Sequence, residues 1–112
     1  MSQQIEELEV GIKQFKGAVE TLEALNRLHG NKDFQTIIGT GYFVDKASEV
    51  VLAKADPAMQ TVEMQQSCDR TIVAIGELRQ YFAAVTQLGQ VAKRDLEAHQ
   101  EALEELLQED AA

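Results

Sequence analysis

The sequence predicts an all-α protein: an antiparallel helical hairpin or three-helix bundle with a long, coiled-coil-like C-terminal helix. Three observations predict it. Leu, Ala, Glu and Gln dominate the chain, and all are strong helix formers. One Pro and seven Gly in 112 residues leave little to interrupt long elements. Two stretches carry apolar side chains at alternating steps of three and four, the period of a buried helical stripe. The length fits a single helical domain over residues 1–112, and a hydrophobic content of 45% suffices for a modest core.

The first stretch is Ile5, Leu8, Ile12, Phe15, Val19 and Leu22. β-Branched residues occupy every a position, with Leu, Phe and Leu at d. Asn26 and His29 take the next a and d places, while Leu25 and Leu28 step off the stripe and widen the seam. Ser2 suits an N-cap and Gly30-Asn31 a stop, so the first helix is expected at about residues 3–29.

A second helix is expected at about 33–55, capped by Asp33. Its apolar positions are Phe34, Ile37, Ile38, Tyr42, Val44, Ala47, Val50 and Val51. The tract from Thr36 to Val44, around Gly39-Thr40-Gly41, also reads as two short strands about a turn. Such a hairpin has very short arms and is marginal without a partner sheet. The helix is therefore favoured, with a kink or close packing at the two glycines, each of which costs about 1 kcal/mol against Ala.

Asp56-Pro57 is the strongest boundary. Asp is a good cap, and Pro fits the first helical position, where its missing N–H costs nothing. The third helix is expected at about 57–109. Ile75, Leu78, Phe82, Val85, Gly89, Ala92, Leu96, His99, Leu103 and Leu106 keep its heptad rhythm. The Gly89/Ala92 pair permits close approach or a bend near 89. Continuous helix over this span is roughly 80 Å long, against about 40 Å for the first helix. From these lengths, Leu96, Leu103 and Leu106 are expected to overhang and to need another chain. Phe34, Tyr42, Phe43, Tyr81 and Phe82 are expected to close the end where the middle segment sits.

The net charge of −9 is uneven. Seven acids follow the last base, Arg94, whereas the preceding 94 residues are close to neutral. No basic stripe offers itself to phosphates, which argues against nucleic acid and against anionic membrane surfaces as partners. No apolar run approaches the length of a membrane span, and the first residues lack the basic and apolar regions of a signal peptide. Synthesis in a reducing cytoplasm is expected. Negative charge near a helix C-terminus opposes the macrodipole and favours fraying of the last turn. The plain reading of these acids is a solvated, solubilising tail; in the sharper one, Glu101, Glu104 and Glu105 form with the leucines above the candidate interaction strip, an acidic face for a basic partner.

The usual constellations of enzyme chemistry are missing from the sequence. Cys68 is the sole cysteine, and no Cys/His metal spacing exists. His29 and His99 fall on seam positions and read as packed or boundary histidines. Gly39-Thr40-Gly41 is too short to cradle phosphate and lacks a lysine. The expectation is a non-enzyme with no catalytic, cofactor or metal residues and no small-molecule substrate.

Several short words carry a resemblance. They are Asn31-Lys32-Asp33-Phe34, Gly41-Tyr42-Phe43, Lys46-Ala47 and the run Leu52-Ala53-Lys54-Ala55-Asp56-Pro57-Ala58-Met59-Gln60. Later come Ile75-Gly76-Glu77-Leu78-Arg79-Gln80-Tyr81-Phe82 and Glu104-Glu105-Leu106-Leu107. The similarity they carry extends over most of the chain, which resembles small helical accessory proteins of tailed bacteriophages. The resemblance implies association with virion or morphogenesis genes, a helical middle segment, and no functional residues to carry over.

The function expected from these readings is protein–protein interaction. The chain would serve as a small structural or assembly component at the portal, tail or capsid of a tailed phage. It would be made in the bacterial host cytoplasm and incorporated in the virion. Its partners would be other virion or assembly proteins and itself, as a homo-oligomer. One alternative is a phage-encoded acidic regulator that binds a host protein by mimicking nucleic acid. Another is a prefoldin-like holdase chaperone with a β-hairpin at Thr36–Val44.

Overall fold

Every regular element is a helix. The computed structural model describes residues 2–111, and no strand occurs among them. The all-α expectation holds. α1 spans Ser2–His29, α2 Lys32–Phe34, a π-helical segment Gln35–Lys46, α3 Ala47–Ala53, a one-turn 3₁₀ helix Pro57–Met59, and α4 Val62–Ala111. The capping role expected of Ser2 rests on a side chain outside the described ones.

Gly30-Asn31 does end α1, but without the left-handed glycine common at helix ends, because no glycine among the described residues has a positive φ. Gly30 N–H still reaches the Asn26 carbonyl at 3.1 Å, and Asn31 N–H reaches that of Leu28 at 3.0 Å. The cap of the next helix is Asn31, not the expected Asp33. Asn31 is extended, and its Oδ1 accepts from the Phe34 N–H at 3.0 Å. This satisfies one of the orphan donors that every helix start leaves.

From Lys32 to Ala53 the backbone stays right-handed helical through both junctions, so the middle segment is one helix that changes its winding. The β-hairpin reading of Thr36–Val44 is overturned. The helix expected at about 33–55 is present, but through Gln35–Lys46 it is wound as a π-helix. An α-period would place Ile37, Val44 and Val51, seven apart, on one face. These three, although apolar, are 66%, 55% and 54% exposed. The half-buried positions are Phe34, Ile38, Gly39, Gly41, Tyr42, Phe43 and Ala47, and the pairs Ile38/Phe43 and Tyr42/Ala47 keep the five-residue step of the wider i→i+5 turn. Gly41 helps this winding, since a Cβ there would lie 2.9 Å from the Thr36 carbonyl oxygen, five residues back.

Asp56 caps at Pro57 as read from the sequence, its Oδ1 accepting from Ala58 N–H at 2.9 Å. The helix so capped is only the 3₁₀ turn. The long helix starts five residues later than expected, at Val62, with Thr61 Oγ1 accepting from Met64 N–H at 3.2 Å. Two glutamines tie this connection together. Gln60 and Gln65 both donate to the Lys54 carbonyl, at 2.8 and 3.0 Å, and so cover the C-terminus of α3. α4 then runs through Gly89 without interruption.

The chain divides into two compact units, Met1–Leu25 with Ala84–Ala112 and Asn26–Ala83. In the first, α1 and the later part of α4 are antiparallel. Gly11 lies against His99 and Leu22 against Gly89, so rising numbers on one helix meet falling numbers on the other. The stripes read from the sequence are the faces that meet. Ile12, Leu25 and Ala92 are buried, and Leu8, Phe15, Val19, Leu22, Leu96 and Leu103 are half-buried. Leu28 stays exposed, so only Leu25 of the two off-stripe leucines widens the seam.

In the second unit the middle helix packs on the first part of α4. Val50, Cys68 and Ile75 are its buried side chains. Phe82 is the hub of the expected aromatic group, with ring centroids 6.0 Å from Phe34, 5.9 Å from Phe43 and 6.1 Å from Tyr81. His29 joins it, edge-on to Phe82 at 5.6 Å. Arg79 caps the Phe43 ring from 5.9 Å, a cation–π distance. At the far end, the Lys54 ammonium pairs with the Asp69 carboxylate.

Candidate functional site

The first unit holds an open cleft of about 490 Å³ beside the seam. Gln4, Glu7 and Leu8 line it from α1, three positions on one helical face by the i, i+3, i+4 rule. α4 supplies His99, Ala102, Glu105, Leu106 and Glu109, again on one face. Leu8 and Leu106 are seam residues, yet each is only half-buried, because two helices alone leave one flank of a seam open. Ala102, the smallest lining side chain, leaves room between them.

His99 is held rather than free to swing. Its ring meets Phe15 edge-on at 4.8 Å, and Gly11, lacking a Cβ, lets the imidazole lie against the α1 backbone. Its Nδ1 is 3.0 Å from the Asp95 carbonyl oxygen. A carbonyl only accepts, so Nδ1 carries the proton in this contact. His29 is engaged separately, in the aromatic cluster of the other unit.

The rim of the cleft is acidic. Glu7, Glu105 and Glu109 flank the apolar floor, and among the described residues none of them enters an ion pair. Among the described residues, no three His, Cys, Asp or Glu side chains gather closely enough to hold a metal ion. The cleft therefore offers hydrogen-bond acceptors, negative charge and an apolar floor. That combination suits a ligand with both cationic and apolar side chains.

Of the interaction strip read from the sequence, the structure brings Leu106 and Glu105 into this cleft. Glu101 and Glu104 are exposed and outside its lining. Leu96 and Leu103 are half-buried in the unit that α4 forms with α1. The overhang inferred from the helix lengths is thus corrected, since α1 accompanies the very end of α4 that was expected to stand free. What the sequence reading missed is the contribution of Gln4, Glu7 and Leu8. Leu8 was legible as a stripe residue, but its position opposite Leu106 follows only from the antiparallel register.

Among the described residues, no helix is long and apolar enough to cross a membrane. No protein-family model, curated protein or solved structure matches this chain.

Proposed function

We propose that this chain is a non-enzymatic protein–protein interaction module. One observation carries the reading: the seam leucines Leu8 and Leu106 are left half-covered at the floor of a cleft with a carboxylate rim. Apolar side chains held on a helical scaffold with one flank open have the form of an incomplete helical bundle, and another helix completes it. Further large apolar side chains stay exposed outside the cleft, among them Leu88 on α4 and Val51 and Leu52 on α3.

The narrower role, a small structural or assembly component of a tailed-phage virion, rests on the resemblance of the sequence words. Mass spectrometry of purified particles tests it. Detection at a fixed copy number supports it, and absence from particles despite expression in infected cells overturns it. Light scattering on the isolated protein tests self-association.

A second reading, an acidic regulator of a host protein, draws on the carboxylates after Arg94. Truncation at residue 95 does not test it cleanly, because those residues pack with α1. Substituting Glu101, Glu104 and Glu105 with Gln removes the charge and keeps the helix. Retained capture of the same host protein by that variant would count against charge mimicry.

A further inference from the structure

We propose that the cleft between the start of α1 and the end of α4 receives a cationic amphipathic helix from a partner protein. This rests on the protein-interaction reading and deepens it by naming the partner's chemistry. The walls are two helices, and the floor residues Leu8 and Leu106 belong to their shared seam. A third helix laid along this flank would set its own apolar side chains between them, as in a bundle. Ala102 leaves the space for such a side chain.

Charge selects the occupant. Before Lys13, α1 carries Glu6, Glu7 and Glu9 and no base. After Arg94, α4 carries seven carboxylates and no lysine or arginine. A second copy of this end would bring like charge against like, which is destabilising at flanking helical positions. Phosphate backbones and anionic lipids are repelled for the same reason. A helix with Lys or Arg beside its apolar stripe meets the floor and rim together, and its charge also speeds encounter. The volume of about 490 Å³ is that of a small-molecule-sized concavity, room enough for apolar side chains projecting from a docked helix.

The test is titration of the full chain with a synthetic amphipathic Leu/Lys helical peptide. Two control peptides accompany it, one with Glu in place of Lys and one with Ser in place of Leu. The Leu/Lys peptide is expected to bind at least about tenfold more tightly than either control, with affinity falling as salt rises. The variant Glu7→Gln/Glu105→Gln/Glu109→Gln should weaken binding about tenfold. An equal loss of charge at exposed positions elsewhere, Glu20→Gln/Glu63→Gln/Glu77→Gln, should change it less than about twofold, because rim charges act locally under screening. Ala102→Trp, which fills the cleft, should abolish binding. Circular dichroism confirms that each variant is folded, and the two Gln triples suffice if Ala102→Trp is not. Equal weakening by both triples would reduce the effect to adhesion on a net-negative protein and overturn the proposal. Equal binding of the Glu-substituted or Ser-substituted peptide would also overturn it. The particle and light-scattering measurements do not depend on this titration, so the interaction reading and the cationic partner can fail separately.

Discussion

Gly89 of α4 lies so close to Leu22 of α1 that a Cβ built on the glycine would stand 2.5 Å from the leucine Cβ. The glycine lets the two helices of the first unit approach closely here, and it is buried. A heptad position that looks like a weak point in the sequence is therefore a packing requirement.

Gly89→Ala should lower stability by about 1–3 kcal/mol through overpacking against Leu22, outweighing the gain in helix propensity. Gly17→Ala and Gly76→Ala meet nothing within 4 Å and should instead raise stability by up to about 1 kcal/mol. Urea denaturation midpoints of the three variants check the contrast. A stabilised Gly89→Ala would mean that the helices stand further apart than described.

Phe82 touches four rings, whereas its neighbour Tyr81 is 60% exposed. Phe82→Ala should cost about 3 kcal/mol. Tyr81→Ala should stay within about 0.5 kcal/mol. Thermal denaturation followed by circular dichroism distinguishes them, and equal losses would show that the cluster has no hub.

Capping distinguishes Asn31, the observed cap, from Asp33, the cap expected from the sequence. Asn31→Ala removes the acceptor of the Phe34 N–H and should cost about 1 kcal/mol. Asp33→Ala should cost only a few tenths, as a charge in a first turn does. Asp56→Ala and Thr61→Ala each remove a cap in the connection before α4 and should cost about 1 kcal/mol. An unchanged midpoint for Asn31→Ala alongside a loss for Asp33→Ala would return the cap to Asp33.

Leu96 and Leu103 decide between a covered and an overhanging stripe. Because both are half-buried in the unit shared with α1, Leu96→Ala and Leu103→Ala should each cost about 2 kcal/mol in the isolated protein. Unchanged midpoints would mean that the stripe stands uncovered and is reserved for another chain.

Much of the secondary structure was legible because helix period, capping residues and proline act over a few neighbouring positions. The stripes from Ile5 to Leu22 and from Ile75 to Leu106 are the faces that become buried or half-buried, and Asp56-Pro57 marks a real boundary. Local signals failed where two choices differ little locally. Asn31 and Asp33 are both good capping residue types, and it is Asn31 that takes the extended cap conformation and accepts from Phe34 N–H.

In the middle segment, periodicity recorded which residues are apolar but not the winding that points them. Phe34, at the end of α2, and Phe43, in the π-helical segment, pack on Phe82, while Ile37 and Val44 of that segment stay outside. The cleft shows the same division. Its carboxylates and leucines are plain in the sequence, but Leu8 and Leu106 lie near opposite ends of the chain. The sequence by itself determined that both helices carry an apolar stripe and that the acids gather after Arg94. The tertiary structure alone decided that the stripes meet antiparallel, which brings Leu8, Leu106, Glu7, Glu105 and Glu109 to the lining of one cleft, because register between distant segments is fixed only by how their side chains pack.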